Sequence, residues 1–126
     1  MIVRNCYQGI ALFLAANSMG VVVTFLNSHS TMQEIEYYLN LYHSSIVVKE
    51  KCDENEKDFL DQKTNVKYIV TLEELGTSNT ASPIVSYQSL LDIRGKKVKR
   101  IVWGSHCDAM ILYTSGTTGT PKSVVL

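Results

Sequence analysis

The sequence has few cysteines, no charge imbalance and no long hydrophobic run. Its three cysteines, Cys6, Cys52 and Cys107, lie far apart and are odd in number. With no CxxC pair, they argue against a disulfide framework and against a zinc site. Reduced thiols in an intracellular, cytoplasmic protein are expected instead. Lys and Arg together number 12, and so do Asp and Glu, which leaves a formal net charge of zero. Nothing global then draws the chain to nucleic acid or to an anionic membrane. The apolar run Ile10 to Ala16 falls short of the ~20 residues a membrane span needs. Arg4 ahead of that run resembles the start of a signal peptide. A small-residue cleavage site would come next. Instead Asn17, Ser18, Met19 and Gly20 follow, and apolar residues resume at Val21. A buried helix and strand, with no membrane span, is the reading.

What is present fits a globular domain of ordinary size. The chain has 126 residues, of which 45% are apolar and 19% charged. Disorder needs lower hydrophobicity and higher net charge. Asn5 is placed to cap a helix over Tyr7 to Ser18, which is apolar enough for substantial burial. Gly20 is a natural stop. Val21 to Phe25 lacks alternation and suits a strand covered on both faces. Ser30 with Gln33, or Thr31 with Glu34, forms a capping box before a helix to Leu41. Ile35, Tyr38 and Leu39 lie near one face of that helix.

Ser45 to Val48 reads as a strand. Asp53 to Gln62 reads as a solvated helix packing through Phe59 and Leu60, and Val66 to Val70 as another strand. A surface loop over Gly76 to Ser82 and a short helix over Tyr87 to Ile93 follow. Arg94 to Arg100 holds five basic residues with no interleaved aromatics, which suits a solvated connection better than an RNA surface. Ile101 to Trp103 is a weak strand and Ala109 to Tyr113 a stronger one. Strands alternating with helices give an α/β fold with a mostly parallel sheet and flanking helices. No internal repeat or interdomain linker is evident.

The richest segment is Tyr113-Thr-Ser-Gly-Thr-Thr-Gly-Thr-Pro-Lys-Ser123. An apolar strand runs straight into seven consecutive hydroxyl or glycine residues, Thr114 to Thr120. Gly116 and Gly119 permit positive φ, which costs other residues roughly 1–2 kcal/mol. Successive N–H groups in such a turn form an anion nest. Thr114, Ser115, Thr117 and Thr118 offer hydroxyls to phosphate oxygens or magnesium. Lys122 adds a cation, and a charged hydrogen bond is worth roughly 1.5–3 kcal/mol. Gly116 to Ser123 nearly fits the Walker pattern GxxxxGK[ST]. Pro121 stands at its second glycine, however, and proline lacks the N–H that the cradle needs. A Walker loop also opens a helix, whereas Val124, Val125 and Leu126 favour a strand. His106, Cys107 and Asp108 are neighbours in sequence, which does not make a triad. His29 and His43 have no partners at ligand spacing.

Tyr113 to Lys122 resembles the signature of the acyl-adenylate-forming superfamily, which includes acyl-CoA synthetases, nonribosomal-peptide adenylation domains and firefly luciferase. Ile10 to Asn27, ending in Gly20-Val-Val-Val-Thr-Phe-Leu-Asn27, resembles the family's helix, glycine and strand leading to a "PLN"-like turn, with Phe25 in the proline's place. Thr31 to Leu41 and Ile46 to Val48 resemble the helix and strand that follow. Ser123 replaces the glycine that usually follows the lysine.

The resemblance implies a partial AMP-binding (adenylation) domain over 1–126, cut at both ends, most like an acyl-CoA synthetase and linked to fatty acid metabolism. It implies ATP and Mg2+ as cofactors, with a carboxylic acid and coenzyme A as partners of the complete enzyme. Thr114, Ser115, Gly116, Thr117, Thr118, Gly119 and Lys122 would hold the β- and γ-phosphates. The family's ribose, acyl and C-terminal lysine sites are missing, so no catalytic residue is assigned and the chain alone is expected to be inactive. Bare edge strands also predict poor solubility. A non-catalytic nucleotide-binding module and a truncated, non-functional product are the alternatives.

Overall fold

The structure is a computed structural model that describes residues 1–73, 83–93, 95, 101, 104, 106–114 and 122–126. In chain order its elements are α1 (Tyr7–Ser18), β1 (Val23–Thr24), α2 (Met32–Leu41), β2 (Ile46–Lys49), α3 (Glu54–Lys63), β3 (Tyr68–Thr71), β4 (Ile84–Ser86), α4 (Tyr87–Asp92), β5 (Met110–Thr114) and β6 (Lys122–Val125). They fall into two compact units. One comprises Met1, Asn5–Leu26 and Arg94–Leu126, and the other Ile2–Arg4 and Asn27–Ile93. The α/β fold with mainly parallel pairing is the one the sequence implies.

The second unit is built on the parallel sheet β2-β3-β4. Ile2 adds a parallel bridge to Lys49 on the free edge of β2. Val47, Val48, Ile69 and Val70 are buried, consistent with strands covered by helices. Ile35 and Leu39 of α2 and Leu60 of α3 are buried as well. Fully burying one such side chain contributes roughly 1.5–3 kcal/mol.

Helix α2 starts with the Thr31–Glu34 capping box. Thr31 Oγ1 accepts from the Glu34 N–H at 3.3 Å, and Glu34 Oε2 accepts from the Thr31 N–H at 2.7 Å. Tyr42 is the C-cap of the helix, and His43 then takes a φ of 48°, the left-handed conformation common just past a helix cap. Asp53 caps α3 by accepting from the Glu56 N–H at 2.8 Å.

Helix α3 is less solvated than its composition implies. Leu60 is buried and Phe59 half-buried, but Lys57 is buried too, at 1% exposure. Its Nζ lies 3.6 Å from Asp61 Oδ2, one turn along the same helix. Apolar patterning misses a lysine whose long stem packs inward while a carboxylate meets its head.

The first unit holds the sheet β1-β5-β6, with β1 parallel and β6 antiparallel to the central β5. Phe13 of α1 packs against Phe25 with ring centroids 5.5 Å apart. Two expectations are corrected here. The cap of α1 is Cys6, whose Sγ accepts from the Gly9 N–H at 3.4 Å; Asn5 lies one residue too early.

Strand β1 is confined to Val23–Thr24, and Val21 and Val22 are exposed. The cause is local. Val21 donates its N–H to Ala16 O at 2.9 Å, and its carbonyl accepts from Asn17 Nδ2 at 3.1 Å. The end of α1 thereby takes the backbone groups a longer strand would use. Gly20, with φ of 79°, makes that turn possible, as its stop role requires.

Strand β4 has no counterpart in the sequence reading, because three residues after Pro83 carry too little periodicity. Ile101 lies outside any strand and donates its N–H to Ser18 O at 3.2 Å. Val102 and Trp103, and the loop expected over Gly76 to Ser82, lie outside the described residues. So does the basic stretch from Arg94 to Arg100, Gly95 excepted.

Candidate phosphate-binding hairpin

Strand β5 is the centre of its sheet. Ile111, Leu112 and Tyr113 are half-buried, which fits an apolar strand with neighbours on both edges. Its antiparallel partner β6 pairs Ile111 with Val125, Leu112 with Val124, Tyr113 with Ser123 and Thr114 with Lys122. Beyond the open end, Ala109 and Met110 donate N–H groups to Leu126 O at 2.7 and 3.0 Å, and Leu126 returns its own to Met110 O at 2.9 Å. The pair is therefore fixed in register along its length.

That register brings two of the expected site residues together. Thr114 ends β5, Lys122 begins β6, and they stand directly opposite each other. Lys122 is exposed, as a cation that meets a soluble anion must be. The other expected residues, Ser115, Gly116, Thr117, Thr118 and Gly119, lie outside the described residues, as do Thr120 and Pro121. Chemically, a rigid hairpin stem holds both ends of a hydroxyl- and glycine-rich segment beside one positive charge. Serine and threonine hydroxyls, backbone N–H groups and a lysine ammonium are all donors that an oxyanion can accept from.

The remaining reactive groups do not compete. His106, Cys107 and Asp108 are exposed. Among the described residues, no three His, Cys, Asp or Glu side chains come together. Burial pushes the Cys52 thiol up to about 11, so it stays protonated near neutrality. No described helix is long and apolar enough to cross a membrane.

Sequence reasoning missed the ion pairs of the second unit. Arg4 Nε and Nη2 both reach Glu50, at 2.9 Å to Oε1 and 2.9 Å to Oε2, and the Arg4 N–H adds a bond of 2.8 Å. These bonds to Arg4 hold the Glu50 carboxyl below its ordinary range. Lys49 Nζ meets Glu56 Oε2 at 2.8 Å. Nothing in the sequence announces a pair like Arg4–Glu50, whose members lie 46 residues apart. The i,i+4 spacing of Lys57 and Asp61 was the one available signal.

Comparison with known proteins adds what the hairpin alone does not carry. The profile of the AMP-binding enzyme family matches residues 1–126. The chain belongs to the AMP-binding enzyme family. It is 27% identical over 130 residues to 4-coumarate-CoA ligase 2 of Narcissus pseudonarcissus, which covers 100% of this chain and 23% of that protein.

Among solved structures of this kind, ATP-bound MatB from Rhodopseudomonas palustris aligns with a TM-score of 0.73 at 26% identity. The alignment covers 99% of this chain and 23% of MatB. An acyl-CoA synthetase of Brucella canis aligns with a TM-score of 0.74 at 18% identity, covering 99% and 22%. That likeness speaks to the fold. The chain thus spans under a quarter of the length of these relatives.

Proposed function

We propose that the chain is part of an ATP-dependent carboxylate-activating ligase in which Thr114 to Lys122 holds the β- and γ-phosphates of ATP. The observation that supports this most is the β5–β6 register, which sets Thr114 opposite the exposed Lys122 in a chain of the AMP-binding family. In the complete enzyme, a substrate carboxylate oxygen attacks the α-phosphorus. The bond to the bridging oxygen breaks, and pyrophosphate leaves with the electron pair. A thiol, coenzyme A in this reading, then attacks the acyl carbon and AMP departs.

The loop's part is electrostatic. Charge grows on pyrophosphate as it leaves, and fixed N–H groups, hydroxyls and the Lys122 cation stabilise it there. Hydroxyl oxygens are hard donors, which suits magnesium, and the metal supplies further neutralisation of the phosphates. Thr114, Ser115, Thr117, Thr118 and Lys122 act through side chains, and Gly116 and Gly119 through backbone. No residue of the chain takes a proton or forms a covalent bond in this scheme. The 126 residues span 23% of 4-coumarate-CoA ligase 2 and lack the family's ribose, acyl and C-terminal lysine sites, so by themselves they are expected to form no acyl-adenylate. They make up a partial adenylation domain, and a cytoplasmic location goes with the same reading.

Phosphorus NMR of ATP with magnesium tests the assignment. Adding the chain is expected to broaden the β and γ resonances ahead of the α resonance, and Lys122→Ala is expected to abolish the difference. Broadening led by the α resonance, or unchanged in the variant, would overturn it.

A further inference from the structure

Both hydrogens of the Asn17 carboxamide are engaged at the end of α1. Nδ2 donates to Val21 O at 3.1 Å and to Ala109 O at 3.0 Å. The first bond is local and closes the turn toward β1. The second spans 92 residues and reaches the carbonyl just before β5. In the sequence Asn17 marks no more than the end of an apolar run.

Ala109 is where helix, strand and hairpin meet. Besides Asn17 Nδ2, its carbonyl accepts the Val23 N–H at 3.1 Å, at the start of the β1–β5 seam. Its own N–H donates to Leu126 O at 2.7 Å, just past β6. The seam is short. It holds two registered pairs, Val23 with Met110 and Thr24 with Ile111, and the Phe25 N–H adds a bond of 3.3 Å to Ile111 O. Two pairs fall well below the ~5–6 residues of an ordinary strand. Strand β6 lies at the sheet edge, so among the described strands β1 alone joins the hairpin to its sheet.

A shift at Ala109 is carried along β5 to Thr114, about 17 Å away at ~3.3 Å per residue. A side-chain bond at the base of the strand opposes that shift. The residue type is specific, because aspartate of the same shape has no donor and serine or threonine has one hydrogen to give. We infer that Asn17 is a positioning residue for the β5–β6 hairpin, holding its base through Ala109 O so that Thr114 and Lys122 present the loop in one place. This rests on the reading of Thr114 to Lys122 as the phosphate-binding segment. Asn17 acts through the hairpin and makes no contact with ATP in this scheme.

Amide hydrogen exchange of the 126-residue chain reads the positioning directly. Asn17→Leu keeps the side chain's size and removes both donors. Ser18→Ala is the control, since Ser18 Oγ donates to Ala15 O within α1, at 2.7 Å. In Asn17→Leu, exchange at the Val23 and Phe25 N–H groups is expected to quicken about 3- to 10-fold, while Ile69 in the other sheet keeps its native rate. Ser18→Ala is expected to leave the Val23 and Phe25 rates within about 2-fold of native. Unchanged seam rates in Asn17→Leu would overturn the inference. So would an equal rise at Ile69 or an equal rise in Ser18→Ala, either of which marks a general loss of stability.

Titration with Mg·ATP tests whether the seam matters to the loop. Asn17→Leu is expected to weaken binding about 3- to 10-fold alone and less than about 2-fold with Lys122→Ala already in place, since residues acting through one network are not additive. Equal factors in both backgrounds would overturn the inference. Affinity that Lys122→Ala leaves unchanged, or no binding at all, removes the phosphate reading instead. The exchange rates at Val23 and Phe25 then decide by themselves whether Asn17 holds the hairpin.

Discussion

Thr114 and Lys122 face each other across the antiparallel pair β5–β6. Everything proposed for the loop depends on this juxtaposition, because it fixes where the segment leaves the sheet and where it returns. Lys122→Ala should weaken ATP binding about 10- to 100-fold, the equivalent of one lost charged hydrogen bond. Lys122→Arg keeps the charge and should retain most of it. Titration calorimetry of both variants against Mg·ATP checks this. Equal losses would show that charge at this position is not what matters.

Lys57 and Asp61 form a pair whose removal is asymmetric. Lys57 is 1% exposed, and Asp61 is the carboxylate within reach of its Nζ at 3.6 Å. Asp61→Ala leaves that charge buried and alone, which should cost about 3–5 kcal/mol. Replacing both, as Lys57→Met with Asp61→Leu, should be close to neutral or stabilising. Urea denaturation of the single and double variants separates the two, and similar losses in both would refute the asymmetry.

His43 carries a side chain in a left-handed conformation, φ 48°, at the end of α2. Glycine adopts that conformation freely. His43→Gly should raise stability by about 0.5–1 kcal/mol, the strain relieved less glycine's entropy cost. A lower urea midpoint in the variant would contradict this.

The amino terminus of the 126-residue chain predicts a pH dependence. Met1 donates its amine to Thr24 O. Burial lowers that amine from 8.0 to about 5. Between those values the unfolded chain binds the proton and the folded chain does not. The contribution is therefore complete above pH ~8 and lost as pH falls toward 5. Urea midpoints taken across that window should fall with pH. An added N-terminal residue, which converts the amine to an amide, should flatten the trend.

Much of the fold was legible in the sequence, for identifiable reasons. Capping boxes and Gly20 act through neighbours in the chain, so residue types narrowed the start of α2 to two adjacent registers, of which Thr31–Glu34 forms, and marked the end of α1. Strands β2, β3 and β5 showed as short β-branched or apolar runs. Val21 and Val22 misled because the strand's length was decided by Asn17 and Ala16, which captured the Val21 backbone. Burial of Lys57 was hidden because composition describes a residue and not the side of a helix it occupies. At the candidate site, spacing and residue type carried the phosphate reading, and the register of Thr114 with Lys122 added the stem that holds it.

The most direct measurement is ATP–pyrophosphate exchange in a 4-coumarate-CoA ligase chimera that carries these 126 residues. The account predicts carboxylate-dependent exchange that falls about 10- to 100-fold with Lys122→Ala, since one charged contact to the leaving phosphates is lost. A folded chimera without exchange, or with exchange indifferent to Lys122, would contradict it.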